Sequence, residues 1–96
     1  MNVLITYDVN TMDRAGARRL RKVAKACVNY GHRVQNSVFE CNLSESQLCI
    51  LKDELKGIID STSDSIRIYT LNKNESRRVE VIGIETAVNF DSTIII

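Results

Sequence analysis

The chain contains no proline, and no linker, internal repeat or low-complexity stretch breaks its 96 residues. It is therefore read as one domain spanning residues 1–96, small enough that its core is modest. No apolar run approaches the length of a membrane span, and no basic segment precedes an apolar stretch at the start. A cytoplasmic protein with no membrane partner is expected. There is one histidine, His32, and three cysteines, Cys27, Cys41 and Cys49, with no C-x-x-C pair. That inventory excludes a zinc cluster and fits a reducing compartment, each thiol sitting in an apolar pattern as a small hydrophobe. There is no Cys–His or Ser–His nucleophile pattern, no phosphate-cradling glycine loop and no H-E-x-x-H. The few aromatics, three tyrosines and two phenylalanines, do not form the stacking motif of an RNA-recognition sheet.

What is present is ordinary in bulk and uneven in arrangement. Hydrophobic residues make up 44% and charged residues 26%, with a formal net charge of +1. The average therefore says nothing about nucleic acid, and the distribution has to be read instead. Residues 3–8 alternate Val3, Ile5, Tyr7 with Leu4, Thr6, Asp8, both sets largely apolar, as in a central strand covered on both faces. Asp13 is placed to cap a helix carrying Leu20, Val23, Ala24, Cys27 and Val28 at three- and four-residue spacing, with Gly31 as a left-handed cap at its end. "HRVQNSVFECNL" is rich in strand formers and reads as one bent strand or a hairpin turning near Gln35–Ser37, the hairpin being preferred. Ser44 and Gln47 form a capping box for a second helix with Leu48, Leu51, Leu55, Ile58 and Ile59 as its apolar stripe. A polar turn over Asp60–Ser65, the strand "SIRIYTL" and a further strand "RRVEVIGI" follow. The order predicts an α+β, ferredoxin-like β-α-β-β-α-β sandwich with an extra C-terminal strand. The tail "FDSTIII" is too apolar for so small a monomer to bury, so a homodimer is expected. Residues 77–96 would then serve as a strand and tail packed on the partner subunit.

Two features carry the chemistry. In the first helix Arg14, Arg18, Arg21 and Lys25 are spaced four, three and four apart and form a continuous basic stripe, with Arg19 and Lys22 beside it and almost no acids between. Such a stripe suits a phosphate backbone; a merely solvated face would look similar, but here the basic residues are segregated from the acids of the second helix and the tail. The second feature is Asp8, where a strand ends on a carboxylate. It reads either as a cap or turn residue or as a ligand for Mg²⁺, which keeps several waters and takes one or two carboxylates plus substrate phosphates. One carboxylate per chain is too few for a two-metal site, and two copies across a dimer come closer. Around it, Tyr7, Ser37 and Phe39 form a possible site neighbourhood. Phe39 is weighted toward the core, and Ser37 toward a turn hydroxyl. Glu40 reads as a solvent-facing strand acid, and His32 with Arg33 as an exposed polar pair.

"YDVN" at 7–10, the basic first helix, "YGHRVQNSVFECNL" at 30–43 and "DSIRIYTL" at 64–71 together resemble the family-two CRISPR-associated adaptation proteins. The likeness runs from Val3 to about Gly83. "RRLRKVAKAC" with "RVQNSVFEC" looks like the version from one branch of type I systems. The resemblance implies a ferredoxin-like homodimer whose C-terminal strands pack on the partner's sheet. It also implies a metal-binding aspartate closing the first strand, here Asp8. Mg²⁺-dependent cleavage (with Mn²⁺ as a substitute) of single-stranded RNA or duplex DNA is a further implication. So is a role bridging dimers of the CRISPR spacer integrase during spacer acquisition, in which the protein could act as a non-catalytic DNA-binding scaffold. A toxin-like ribonuclease on the same fold is a third expectation. Asn36 stands where many relatives carry an aromatic.

Overall fold

The computed structural model describes residues 1–71 and 78–84, with the backbone alone at Arg78. Strand β1 (Asn2–Asp8) leads into helix α1 (Arg14–Cys27). The chain continues through β2 (Gly31–Gln35), β3 (Val38–Asn42), helix α2 (Glu45–Ile58), β4 (Ser65–Leu71) and β5 (Arg78–Gly83). The strands form one antiparallel sheet in the order β2-β3-β1-β4-β5. This is the predicted ferredoxin-like arrangement with its extra strand, β1 lying at the centre. The expected tail packing on a partner falls on residues 85–96, outside the described residues; β5 itself pairs with β4 of its own chain.

One core holds the layers together. Val3, Ile5 and Tyr7 of β1 meet Val23 and Cys27 of α1 and Leu48, Leu51 and Leu55 of α2. Strand alternation therefore puts both helices on one face of the sheet and turns Leu4, Thr6 and Asp8 to the other. Ile5, Leu51, Leu55 and Phe39 are fully enclosed. The capping box forms as expected: Ser44 Oγ accepts from the Gln47 amide at 3.1 Å, and Gln47 Oε1 accepts from the Ser44 amide at 2.9 Å. The hairpin reading also holds, with β2 and β3 turning over Asn36–Ser37 and a register shift between Arg33 and Gln35.

Gly31 needs a correction. Helix α1 ends at Cys27, with Val28 as a C-cap in a right-handed conformation, and Gly31 opens β2 without a positive φ. Its constraint is proximity rather than handedness. A Cβ at Gly31 would sit 1.9 Å from the Glu40 carbonyl oxygen and 2.7 Å from Cys41 Cα, all backbone that cannot step aside. Gly31→Ala is expected to prise the edge strand from β3 at a cost of about 1–3 kcal/mol. A lower melting temperature would show it, and an unchanged one would contradict the contact.

Candidate active site and nucleic-acid interface

Asp8 is the last residue of β1, exposed, and directly opposite Ser65 on β4. It is not a helix cap. Asp13 fills that role, its carboxylate accepting from the Ala15 amide at 3.1 Å. The five residues between strand and helix are held tightly: Asn10 Oδ1 accepts from the Met12 amide at 3.1 Å. Gly16 passes so close that a Cβ there would lie 1.9 Å from the Asn10 carbonyl oxygen. The start of α1 is thus pressed against the loop that leaves Asp8.

Arg14, Arg18, Arg21 and Lys25 are all exposed, as is Lys22. At about 1.5 Å rise per residue the stripe runs roughly 16 Å from Arg14, six residues after Asp8, to Lys25. Arg19 does not belong to that surface. It turns inward to Asp64, with Nε 2.8 Å from Oδ2 and Nη2 3.2 Å from Oδ1, a two-pronged guanidinium–carboxylate contact. The Asp64 carboxylate also accepts from the Tyr7 hydroxyl, from the Asp60 amide at 3.0 Å and from Ser63 Oγ at 3.4 Å. The polar turn expected at 60–65 therefore holds a fully buried acid.

Burial opposes the charge on Asp64, but the hydrogen bonds from Arg19 and Tyr7 outweigh it and hold the carboxyl below its ordinary range. Burial, then the bond to Asp64, pushes the Tyr7 phenol well above its usual value. Because the folded chain releases the Asp64 proton more readily than the unfolded one, the unfolded state binds more protons in acid. The stabilisation from this carboxylate is therefore complete above the ordinary carboxylate range, near about 3.9, and is lost as pH falls through the lower folded value. Acid unfolding of Asp64→Asn should lack that component; a variant whose acid limb matched the wild type would contradict the assignment.

The remaining candidates are distributed unevenly. Tyr7 points into the core, and its hydroxyl is committed to Asp64. Phe39 is fully buried opposite Ile5, with the Arg33 guanidinium 5.7 Å from its ring centroid, and offers no stacking face beside Asp8. Ser37 does lie at the site's edge, its carbonyl accepting from the Tyr7 amide at 2.9 Å. His32 sits opposite Glu40, which faces Leu4, so it lies two strands across from Asp8 and about 13 Å back along the strand direction. Arg33 Nε donates to the carbonyl of exposed Asn36 at 2.7 Å. Cys27 is pushed up to about 12 by burial, and burial raises Cys41 as well, so neither is a nucleophile near neutral pH.

Among the described residues no group of three or more His, Cys, Asp or Glu side chains is placed to hold a metal ion. Mg²⁺ can be held by one or two carboxylates when waters and substrate phosphates complete its shell, and exposed Asp8 is one carboxylate of that kind. The sequence places Arg19 beside the basic stripe, whereas the structure joins it through Asp64 to Tyr7. The signal for this pairing lay in the helix pattern: Arg19 is four residues before Val23, on the apolar face, where a charge requires a partner.

A ferredoxin-like sheet with a carboxylate at the end of its central strand and a basic helix beside it defines the class. Residues 1–79 match the family model of the CRISPR associated protein Cas2, and the chain belongs to that family. It is 54% identical over 95 residues, 99% of both chains, to a CRISPR-associated endonuclease Cas2 of Halalkalibacterium halodurans. A CRISPR-associated endoribonuclease Cas2 of Rhodospirillum rubrum is 49% identical over 94 residues, 98% of this chain and 99% of the relative. Among solved structures, Streptococcus pyogenes Cas2 at pH 6.5 superposes with a TM-score of 0.75 at 58% identity, covering 77% of this chain and 89% of that one. Among the described residues no helix is long and apolar enough to cross a membrane.

Proposed function

We propose that this chain is a metal-dependent endonuclease of the CRISPR adaptation module, hydrolysing phosphodiester bonds in single-stranded RNA, duplex DNA or both. The observation that carries the reading is the placement of exposed Asp8 at the head of an exposed basic stripe. The names endonuclease and endoribonuclease borne by similar Cas2 proteins support it. Asp8 would hold Mg²⁺, with Mn²⁺ as a substitute, and the ion would supply Lewis-acid polarisation of the phosphate and a more acidic water. Arg14, Arg18, Arg21 and Lys25 hold the backbone and set its approach to the strand end. Tyr7, with its proton held toward Asp64, does not serve as a base.

The active unit in this reading is a cytoplasmic homodimer. Val34 and Leu71, 43% and 44% exposed, lie beside a depression of about 700 Å³ also lined by Leu4 and Val38. Leu4 and Val38 lie on the sheet face away from the helices, and a second copy there would cover apolar surface and bring a second Asp8 into the assembly. Sedimentation should show a dimer at micromolar concentration; a monomer would contradict this part. Cleavage of both substrates in Mg²⁺ and in chelator tests the rest. Cutting only with metal supports the reading, and equal cutting in chelator overturns it.

A second reading is favoured by one observation: among the described residues no group of three or more His, Cys, Asp or Glu side chains is placed to hold a metal ion, while the stripe is continuous. Under it the chain is a non-catalytic scaffold that bridges dimers of the spacer integrase on duplex DNA. Metal-independent, salt-sensitive duplex binding with no cleavage under any condition would select it.

A further inference from the structure

We infer that the Arg19–Asp64–Tyr7 network is a positioning device that fixes Asp8 relative to the basic stripe, and that Asp64 is its central positioning residue. The inference rests on the reading of Asp8 as the metal ligand. The last residues of a strand ordinarily fray, because pairing is weakest there. Here β1 pairing with β3 runs only as far as Thr6 opposite Val38, while pairing with β4 continues to Asp8 opposite Ser65, so the strand end is held by a neighbour on one side alone. Tyr7 is nonetheless held on its amide by the Ser37 carbonyl at 2.9 Å and on its hydroxyl by Asp64. Asp8 follows directly, so anchoring Tyr7 at both its amide and its hydroxyl fixes the backbone from which the exposed carboxylate leaves on the opposite face of the sheet.

The same Asp64 carboxylate grips Arg19 through two nitrogens, at 2.8 and 3.2 Å. Arg19 lies one residue after Arg18 and five after Arg14. One buried acid thus ties both the strand end carrying Asp8 and the helix carrying the phosphate-binding side chains. Its backbone carbonyl accepts from the Ile84 amide at 2.9 Å, so the exit of β5 is fixed to the same point. A buried ion pair is a weak source of stability, since apolar residues of similar size commonly do as well, and its clearest use is to select one arrangement. At this place the arrangement selected is that of Asp8 against Arg14 and Arg18.

The test compares full-length wild type, Asp64→Asn, Tyr7→Phe and Asp8→Asn. Leu48→Ala serves as a core variant, remote in sequence from the network, that is destabilised in general. Amide hydrogen exchange at residues 8–10 is read first. Asp64→Asn is expected to speed it about 10-fold or more relative to the centres of β3 and β4, and Tyr7→Phe to act in the same direction with smaller amplitude. Mn²⁺ affinity, followed by paramagnetic resonance, should weaken by about 10- to 100-fold in Asp64→Asn, the usual range for loss of a supporting residue. Wild-type exchange and affinity in Asp64→Asn would overturn the inference, as would equal changes in Leu48→Ala. If Asp64→Asn does not fold, Tyr7→Phe decides on the same readouts. Should Asp8→Asn bind Mn²⁺ as wild type does, the metal reading of Asp8 fails. The exchange comparison alone then decides whether the network positions the strand end.

Discussion

Exchanging Arg14, Arg18, Arg21 and Lys25 together for glutamine is expected to remove most of the salt dependence of duplex binding. Each side chain that neutralises a phosphate releases condensed counterions, and the slope of log affinity against log salt is about −0.9 per contact for duplex DNA. Four lost contacts per chain flatten it by roughly 3–4. All four residues are exposed on α1 and none belongs to the core. Their replacement leaves the burial of Val23, Ala24 and Cys27 intact, so the melting temperature should hardly move. Arg19→Gln is the informative contrast. Its guanidinium is engaged by Asp64 rather than presented to solvent, so that variant should unfold more readily while its salt slope stays close to wild type. Slopes that fell equally in both variants would mean that binding follows net charge rather than the stripe.

Asp8→Asn should abolish metal-dependent cleavage and spare nearly everything else. The substitution keeps size and shape at an exposed strand end, where changes in stability are ordinarily within about 0.5 kcal/mol. It removes the charge that a hard divalent cation requires, and the loss of one such electrostatic element typically lowers turnover by about 100-fold or more. Duplex affinity should be unchanged or slightly higher, because a negative charge that repels phosphate has been removed. Cleavage at the wild-type rate in this variant would remove Asp8 from the chemistry.

Much of the architecture could be read from residue order because local signals agreed with one another. The Val3–Ile5–Tyr7 alternation and the Ser44–Gln47 box each specify one local structure, the turn at Gln35–Ser37 is the preferred of two readings, and the sheet follows from their sequence. Gly31 misled because a glycine after a helix suggests a left-handed cap, whereas its constraint is a backbone approach from β3, a distant segment that local pattern cannot reveal. The site was legible where it faces solvent: Asp8 and the stripe are exposed, as their sequence context implied. It was not legible where it is built from buried charge. Arg19 and Asp64 lie 45 positions apart, and the polar run Asp60–Ser65 looks like a solvated turn until the fold closes Asp64 beneath Tyr7. Tyr7 is drawn toward the site by its position beside Asp8, but strand alternation places it on the helix-covered face, where Phe39, weighted toward the core from its sequence, is also buried.

The most direct test runs cleavage and binding on the same preparations of wild type, Asp8→Asn and the four-residue stripe variant, with duplex DNA and single-stranded RNA, with and without Mg²⁺. The expected result is a separation of functions. Asp8→Asn binds and does not cut; the stripe variant loses binding at physiological salt and regains some cutting when salt is lowered. Cleavage by Asp8→Asn at the wild-type rate, or cleavage by the wild type that ignores the metal, would contradict the account of a carboxylate-held ion beside a backbone-binding helix.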